Sequence, residues 1–243
     1  GGNLILDGKN SEINLLPQKT TWGGIYVKNA KSKSIIINTK IKSTKNFTHE
    51  GIVLSGGVNF YKSDIEIKKS IISDSKAEDS INIIKSTFNF ENFKILNSIS
   101  DAIDSDFSSG KIINSVFKDI KGDAIDTSGS VVSILSSQIY NVSDKALSAG
   151  ENSEIYISDL DINNARFGIV AKDLSNIKGN KIQVTDSIEY DIIAFEKKSH
   201  YGPGYIDIED VKYEDKVIAQ TNSEIKIDNK KITTTILDIS KYY

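Results

Sequence analysis

Apolar residues in this chain come in short alternating clusters, and one cluster recurs. Gly24-Ile25-Tyr26-Val27, Gly51-Ile52-Val53-Leu54, Ser80-Ile81-Asn82-Ile83 and Ala102-Ile103-Asp104-Ser105 open the series. Ala124-Ile125-Asp126-Thr127, Ala146-Leu147-Ser148-Ala149, Gly168-Ile169-Val170-Ala171 and Asp191-Ile192-Ile193-Ala194 continue it. The starts lie at 24, 51, 80, 102, 124, 146, 168 and 191, so steps of 27 and 29 give way to four of 22 and one of 23. Each unit carries a second apolar stretch, as in Phe88-Asn89-Phe90, Ile112-Ile113, Val132-Ser133-Ile134 and Ile155-Tyr156-Ile157. A third follows: Phe117 with Ile120, Ile139 with Val142, Ile162 with Ala165. Alternation at period two, built on Ile, Val, Phe and Tyr, is strand chemistry, and the Ser, Asn, Asp, Gly and Lys between the clusters are turn residues. No window shows a capped stripe at helical period.

Hairpins would pair neighbours within a unit and require no likeness between units. A parallel coil stacks equivalent residues of successive turns and demands it. The columns favour the coil: Ile81, Ile103, Ile125, Leu147 and Ile169 stand 22 apart, as do Asn92, Asn114 and Ser136. The second column predicts stacked amides at a corner. Pro17 and Pro203, the only prolines, lie outside the regular region, as a ladder of paired strands requires. The expectation is an all-β, single-stranded parallel β-helix of eight coils, spanning roughly 40 Å at about 4.8 Å per coil. Residues 1–210 form the helix. Residues 211–243, with Ile225-Lys226-Ile227 and Ile232 to Ile236, form a terminal irregular coil or a cap over the open end.

With the Ile81 column facing inward, alternation puts Asn82, Asp104, Asp126, Ser148 and Val170 outside and turns Ser105, Thr127, Ala149 and Ala171 in. The next outward column is Ile84, Asp106, Ser128, Gly150 and Lys172. Asp79, Asp101, Asp123 and Asp144 fall at the preceding corner, and Lys145, Glu151, Asp173, Glu196, Lys197 and Lys198 lie on later turns. Carboxylates one turn apart repel, and three responses are open. One takes a raised pKa and holds a proton, a Ca²⁺ bridges them, or lysines neutralise them. Asp101 and Asp123 suit a purely structural corner role. Asp104 and Asp126 sit mid-strand, where Asp is disfavoured, and local propensity does not explain them. The candidate catalytic residues are therefore Asp104, Asp126, Lys145 and Lys172. Asp106, Glu151 and Asp173 are candidates for substrate binding, and Asp101, Asp104, Asp123 and Asp126 for Ca²⁺.

Composition narrows the partners. Thirty Lys+Arg against 33 Asp+Glu give a net charge of −3 over 243 residues, without the basic excess that nucleic acid requires. Cysteine is absent, which excludes thiolate chemistry, and His49 and His200 are the only histidines. No apolar run approaches the roughly 18 residues of a membrane span. The chain lacks methionine and opens Gly1-Gly2-Asn3, which reads as a monomeric processed form or a fragment of a longer chain. Trp22 with Tyr26 is a weaker sugar-stacking candidate, and Asn46-Phe47-Thr48 fits the glycosylation sequon.

With this coil length, the Asn/Ser column and the opening Leu4-Ile5-Leu6-Asp7-Gly8-Lys9-Asn10, the stretch from Asn3 to about Asp210 resembles the right-handed parallel β-helix family, the pectate-lyase-like superfold. The resemblance implies right-handed winding. It also implies a scaffold that hosts lyases, hydrolases, epimerases, adhesins and spacers alike. Pectin-type lyases of the fold pair calcium-binding aspartates with an arginine or lysine base, parts open here to the acidic cluster and to Lys145 or Lys172. Polygalacturonase-like hydrolases carry Gly-His-Gly and Arg-x-Lys elements, and neither occurs. The expectation is an extracellular or cell-surface β-helix that recognises a polysaccharide along its strand face and, if catalytic, acts by elimination or epimerisation. The alternative is a non-catalytic spacer or adhesive module of a longer secreted protein.

Overall fold

The computed structural model describes residues 2–49 and 51–242, with no account of the His49 side chain. Three strands make one turn, as in Asp79–Ile84, Thr87–Glu91 and Lys94–Ser98, and the next turn repeats them as Asp101–Asp106, Ser109–Ile113 and Val116–Ile120. Each strand pairs in parallel with its equivalent one turn away. The chain is thus a parallel β-helix with three sheets. Among the described residues the inward column of the first sheet runs Ile25, Val58, Ile81, Ile103, Ile125, Leu147, Ile169, Ile192 and Val217, which makes nine turns.

One assignment requires correction. Gly51-Ile52-Val53-Leu54 is not a coil start. Ile52–Leu54 pairs antiparallel with Phe47–His49 in a hairpin outside the coil, and Val58 holds the column position. The hairpin is an insertion, which is why the early steps are irregular. The inward placement of Ser105, Thr127, Ala149 and Ala171 holds, all four being fully buried.

Corners are what make the coil turn. After the second-sheet strands the backbone enters the left-handed region at Asn38, Lys69, Asn92, Asn114, Ser136, Asp159, Lys181 and Asp210, with φ between 46° and 65°. Asn and Asp tolerate that region better than other side chains. The stacked amides expected there form where Asn114 donates to Asn92. A further ladder at the third corner links Asn164 to Asn141 at 3.0 Å and Asn141 to Asp119 at 2.8 Å. Tight corners also leave buried backbone N–H groups that need acceptors. Serine supplies them: Ser63, Ser86, Ser108 and Ser130 each donate N–H to the hydroxyl one turn on, at 2.8–3.1 Å. Between the corners the interior is filled by stacked Ile and Phe, with Phe88, Phe90 and Phe93 packed at 5.0 and 5.1 Å. Gly110 leaves the slot that the Phe88 ring fills, since a β-carbon there would lie 2.4 Å from it.

The tail begins as regular coil. Tyr205–Lys212, Val217–Gln220 and Glu224–Ile227 still pair in parallel with the preceding turn. The chain then reverses through Lys230–Lys231, adds Thr234–Thr235 to Val217–Gln220, and ends in a short 3₁₀ helix, Ile239–Tyr242. That helix folds back onto the outer surface of the first sheet, where Tyr242 packs with Phe167, Val170, Ile193 and Phe195. Among the described residues no helix is long and apolar enough to cross a membrane.

Candidate active site on the first sheet

The outer face of the first sheet changes character along the helix axis. Its central column reads Tyr26, Asn59, Asn82, Asp104, Asp126, Ser148, Val170 and Ile193. Beside it run Lys28, Tyr61, Ile84, Asp106, Ser128, Gly150 and Lys172. The early turns carry a cleft of about 380 Å³, floored by Tyr26, Asn59, Tyr61, Asn82 and Ile84 and walled by the hairpin residues Ile52–Ser55. The late turns are apolar and covered by the C-terminal helix. The acids lie between.

Asn82 joins the cleft to the acids, donating 2.9 Å to Asp104 Oδ2 and 3.2 Å to Asp79 Oδ2. Asp104 and Asp126 are register partners on adjacent turns, half-buried side by side. Burial pushes the Asp104 carboxyl up to about 9, and the carboxylates of Asp79, Asp106, Asp126 and Asp101 push the same way. Burial also raises Asp79 and Asp101 to about 6. Asp106 is raised by burial, then by Asp126 and Glu151, with Lys198 opposing. Of the responses open to the stack, protonation is therefore the one Asp104 takes.

Asp101 and Asp123 do corner work. Asp101 Oδ1 accepts the Asp123 N–H at 2.8 Å, and Asp123 Oδ1 accepts the Lys145 N–H at 2.9 Å. Lys145 is clamped, its Nζ 2.6 Å from Asp144 Oδ2 and 3.3 Å from Asp123 Oδ1, with 8% of the residue exposed. Burial works against its charge, yet Asp123 and Asp144 outweigh it and hold the ammonium above the usual lysine range. Burial raises the Asp123 carboxyl, with Lys145 pulling the other way. Lys172 is also buried, donating 2.7 Å to Ser148 Oγ and lying 3.6 Å from Asp126 Oδ1. The stack thus uses neutralisation as well as protonation.

Two of the residues expected to bind substrate behave differently. Glu151 lines the edge of the face, accepting from Ser128 and pairing with Lys198; burial alone would raise it, but these partners hold it below the usual range. Asp173 is fully buried, and its Oδ1 accepts the backbone N–H groups of Lys197 and Lys198, which shapes a loop. Among the described residues no group of three or more His, Asp or Glu side chains is placed to hold a metal ion. No step below runs through a metal. Trp22 packs against the core and donates 2.8 Å to the Lys42 carbonyl, while Tyr26 lines the cleft. Tyr61 is not legible in the sequence, because Gly51-Ile52-Val53-Leu54 imitates a coil start while the strand that holds Asn59 and Tyr61 is the one that stacks in the column.

The fold and this face define a parallel β-helix carrying, beside a cleft, a half-buried aspartic acid whose pKa burial raises to about 9 among other carboxylates. No protein-family model matches the chain, and no curated protein matches it. Among solved structures, the catalytic domain of GH87 alpha-1,3-glucanase in complex with nigerose is similar over 98% of this chain and 62% of its own length, with 13% identity and a TM-score of 0.42. The same domain in complex with tetrasaccharides matches over the same shares, with 11% identity and a TM-score of 0.42. The chain therefore spans 62% of the length of these structures. Nothing about substrate or catalysis in this chain follows from likeness at these values.

Proposed function

We propose that this β-helix binds a polysaccharide in the groove between the hairpin and the C-terminal helix and hydrolyses its glycosidic bonds with carboxyl groups. The observation that carries the reading is Asp104, a solvent-reachable carboxyl whose pKa stands at about 9. An acid that keeps its proton at neutral pH is what protonation of a glycosidic oxygen requires. Two partners are within reach of the backbone frame. Asp126 lies one turn away, about 4.8 Å between backbones, and Asp106 lies two residues along the strand, about 7 Å. The longer spacing leaves more room for a water between the two carboxyl groups, and Asp126 already has Lys172 3.6 Å away. Asp104 is thus the acid, Asp106 the base that activates water, and inversion of the anomeric centre the expected outcome.

What supports hydrolysis over elimination or epimerisation is the state of the lysines. A base must be free and unprotonated. Lys145 is held between two carboxylates with its proton bound more tightly than usual, and Lys172 is buried against Ser148 and Asp126. With a polysaccharide as substrate we propose a location outside the cell or on its surface, where such polymers are met. The test is incubation with neutral polysaccharides and polyuronates, following new reducing ends and unsaturated uronate in parallel. Reducing ends alone, lost in Asp104→Asn, support the reading. Unsaturated product, or full turnover by Asp104→Asn, refutes it.

A further inference from the structure

The corner that follows the acidic strand holds one residue out of character. Equivalent positions on other turns are Asn29, Lys62, Lys85, Gly129, Glu151 and Asp173, all polar or glycine and all with φ near 50–60°. On the Asp104 turn the residue is Phe107, with φ 48°. A phenylalanine there bears the steric penalty of the left-handed region, on the order of 1 kcal/mol. Burial gives little in return, because 60% of Phe107 is exposed. A rule of local structure broken without a packing gain points to a task outside folding.

The surroundings say which task. Phe107 directly follows Asp106, and its N–H is anchored to the Ser128 carbonyl at 2.8 Å. Its ring lies across Gly129 of the next turn, where a β-carbon would come within 2.8 Å of it. Glycine at that one corner lets the ring lie flat. The Lys85 ammonium stands over the ring, 6.0 Å from its centroid, and the residue still keeps most of its surface in solvent. Phe107, Lys85, Thr87, Ser109 and Gly129, with Asp64, line a shallow depression of about 350 Å³. An open aromatic ring with hydroxyl and ammonium groups around it matches a sugar, whose C–H face stacks while its hydroxyls hydrogen-bond. Asp64 on the lining and Asp106, next to Phe107 in the chain, disfavour a uronate. Phe107 lies three positions on from Asp104, just past the end of the strand and at most about 10 Å away.

We propose that Phe107 is a stacking platform that seats a neutral pyranose unit beside Asp104 and Asp106, and so fixes which linkage meets the acid. The proposal rests on the hydrolytic reading of that face. It is tested by titration calorimetry in an Asp104→Asn background with neutral gluco-tetrasaccharides of α and β linkage, and galacturonate tetrasaccharide as control. Phe107→Asn should weaken binding of the preferred neutral sugar about tenfold, the scale of one aromatic contact. Its melting temperature should equal or exceed that of its parent, because Asn suits the left-handed corner. Phe107→Trp should retain binding, and in the active protein Phe107→Asn should raise KM more than it lowers kcat. Unchanged affinity in Phe107→Asn, loss of affinity together with stability, or preference for the uronate overturns the proposal. Turnover that survives Asp104→Asn while Phe107→Asn still weakens binding overturns the acid assignment and leaves the platform standing.

Discussion

Replacing Asp104 by asparagine should stabilise the protein while abolishing its activity. The native carboxyl is raised from 3.8 to about 9, chiefly by burial, so the folded state keeps a proton that the unfolded chain releases. The stability this group confers is complete below about pH 3.8 and is lost progressively as pH rises toward about 9. At pH 7 the loss covers a little over three pH units, which at 1.36 kcal/mol per unit is about 4 kcal/mol. Asparagine removes the titration and keeps the shape, and its amide oxygen still accepts from Asn82. Its neighbours feel no change in charge at pH 7, because Asp104 is already neutral there. For a chain of this size about 4 kcal/mol raises the melting temperature by about 10 °C. The assay is a set of thermal melts of wild type and Asp104→Asn from pH 4 to pH 8. The two should melt together near pH 4 and diverge as pH rises, the variant higher. A gap that stays constant, or a variant less stable at pH 7, would mean that Asp104 is ionised in the native state, and its role as acid would go with it.

Other perturbations probe the scaffold. Lys145→Ala strands the buried Asp123 and should cost about 3–5 kcal/mol in urea denaturation at pH 8. The cost should shrink at pH 5, where Asp123 takes up a proton, and Lys145→Met combined with Asp123→Asn should recover most of it. Ser130→Ala removes the hydroxyl that accepts the Ser108 N–H at 3.0 Å. It should cost about 1–3 kcal/mol and speed hydrogen exchange at the Ser108 amide. Gly110→Ala drives a methyl into the Phe88 ring. It should cost about 1–3 kcal/mol by chemical denaturation, with part restored by Phe88→Leu.

The coil was legible because a stacked turn constrains every turn to the same step. Ile81 to Ile169 announced the first sheet, and alternation from that column turned Asp104, Asp106 and Asp126 outward without any coordinates. Serines 86, 108 and 130 carry the same 22-residue period. They too were readable, though a serine looks like any turn residue until its hydroxyl is seen to accept the N–H of the previous turn. The hairpin was not readable. Gly51-Ile52-Val53-Leu54 imitates the repeat in composition, and only pairing direction separates it from a coil strand. The fates of Lys145 and Asp173 were hidden for another reason. Whether a charged side chain reaches solvent or folds under its own strand depends on partners such as Asp144 and the Lys197–Lys198 backbone, which sequence spacing does not bring together.

The division of labour between corners and faces explains why the acids can be stacked at all. Serine and asparagine ladders satisfy the backbone at every turn, and the Ile and Phe columns fill the interior, so folding makes few demands on the outward columns. Those columns can then vary from turn to turn: amide at Asn59 and Asn82, acid at Asp104 and Asp126, hydroxyl at Ser148, apolar at Val170 and Ile193. The apolar end is covered by Tyr242 and the early end is walled by the hairpin, which leaves open the stretch where carboxyl groups meet. Repulsion within that stretch is relieved unevenly. Lys145 and Lys172 neutralise Asp123 and Asp126, while Asp104 has an amide donor and, among the described residues, no cation paired with it, so the proton falls to it. The proton's place thus follows from which turns carry lysine, and a lysine introduced at Asn82 should ionise Asp104 and extinguish its acid function.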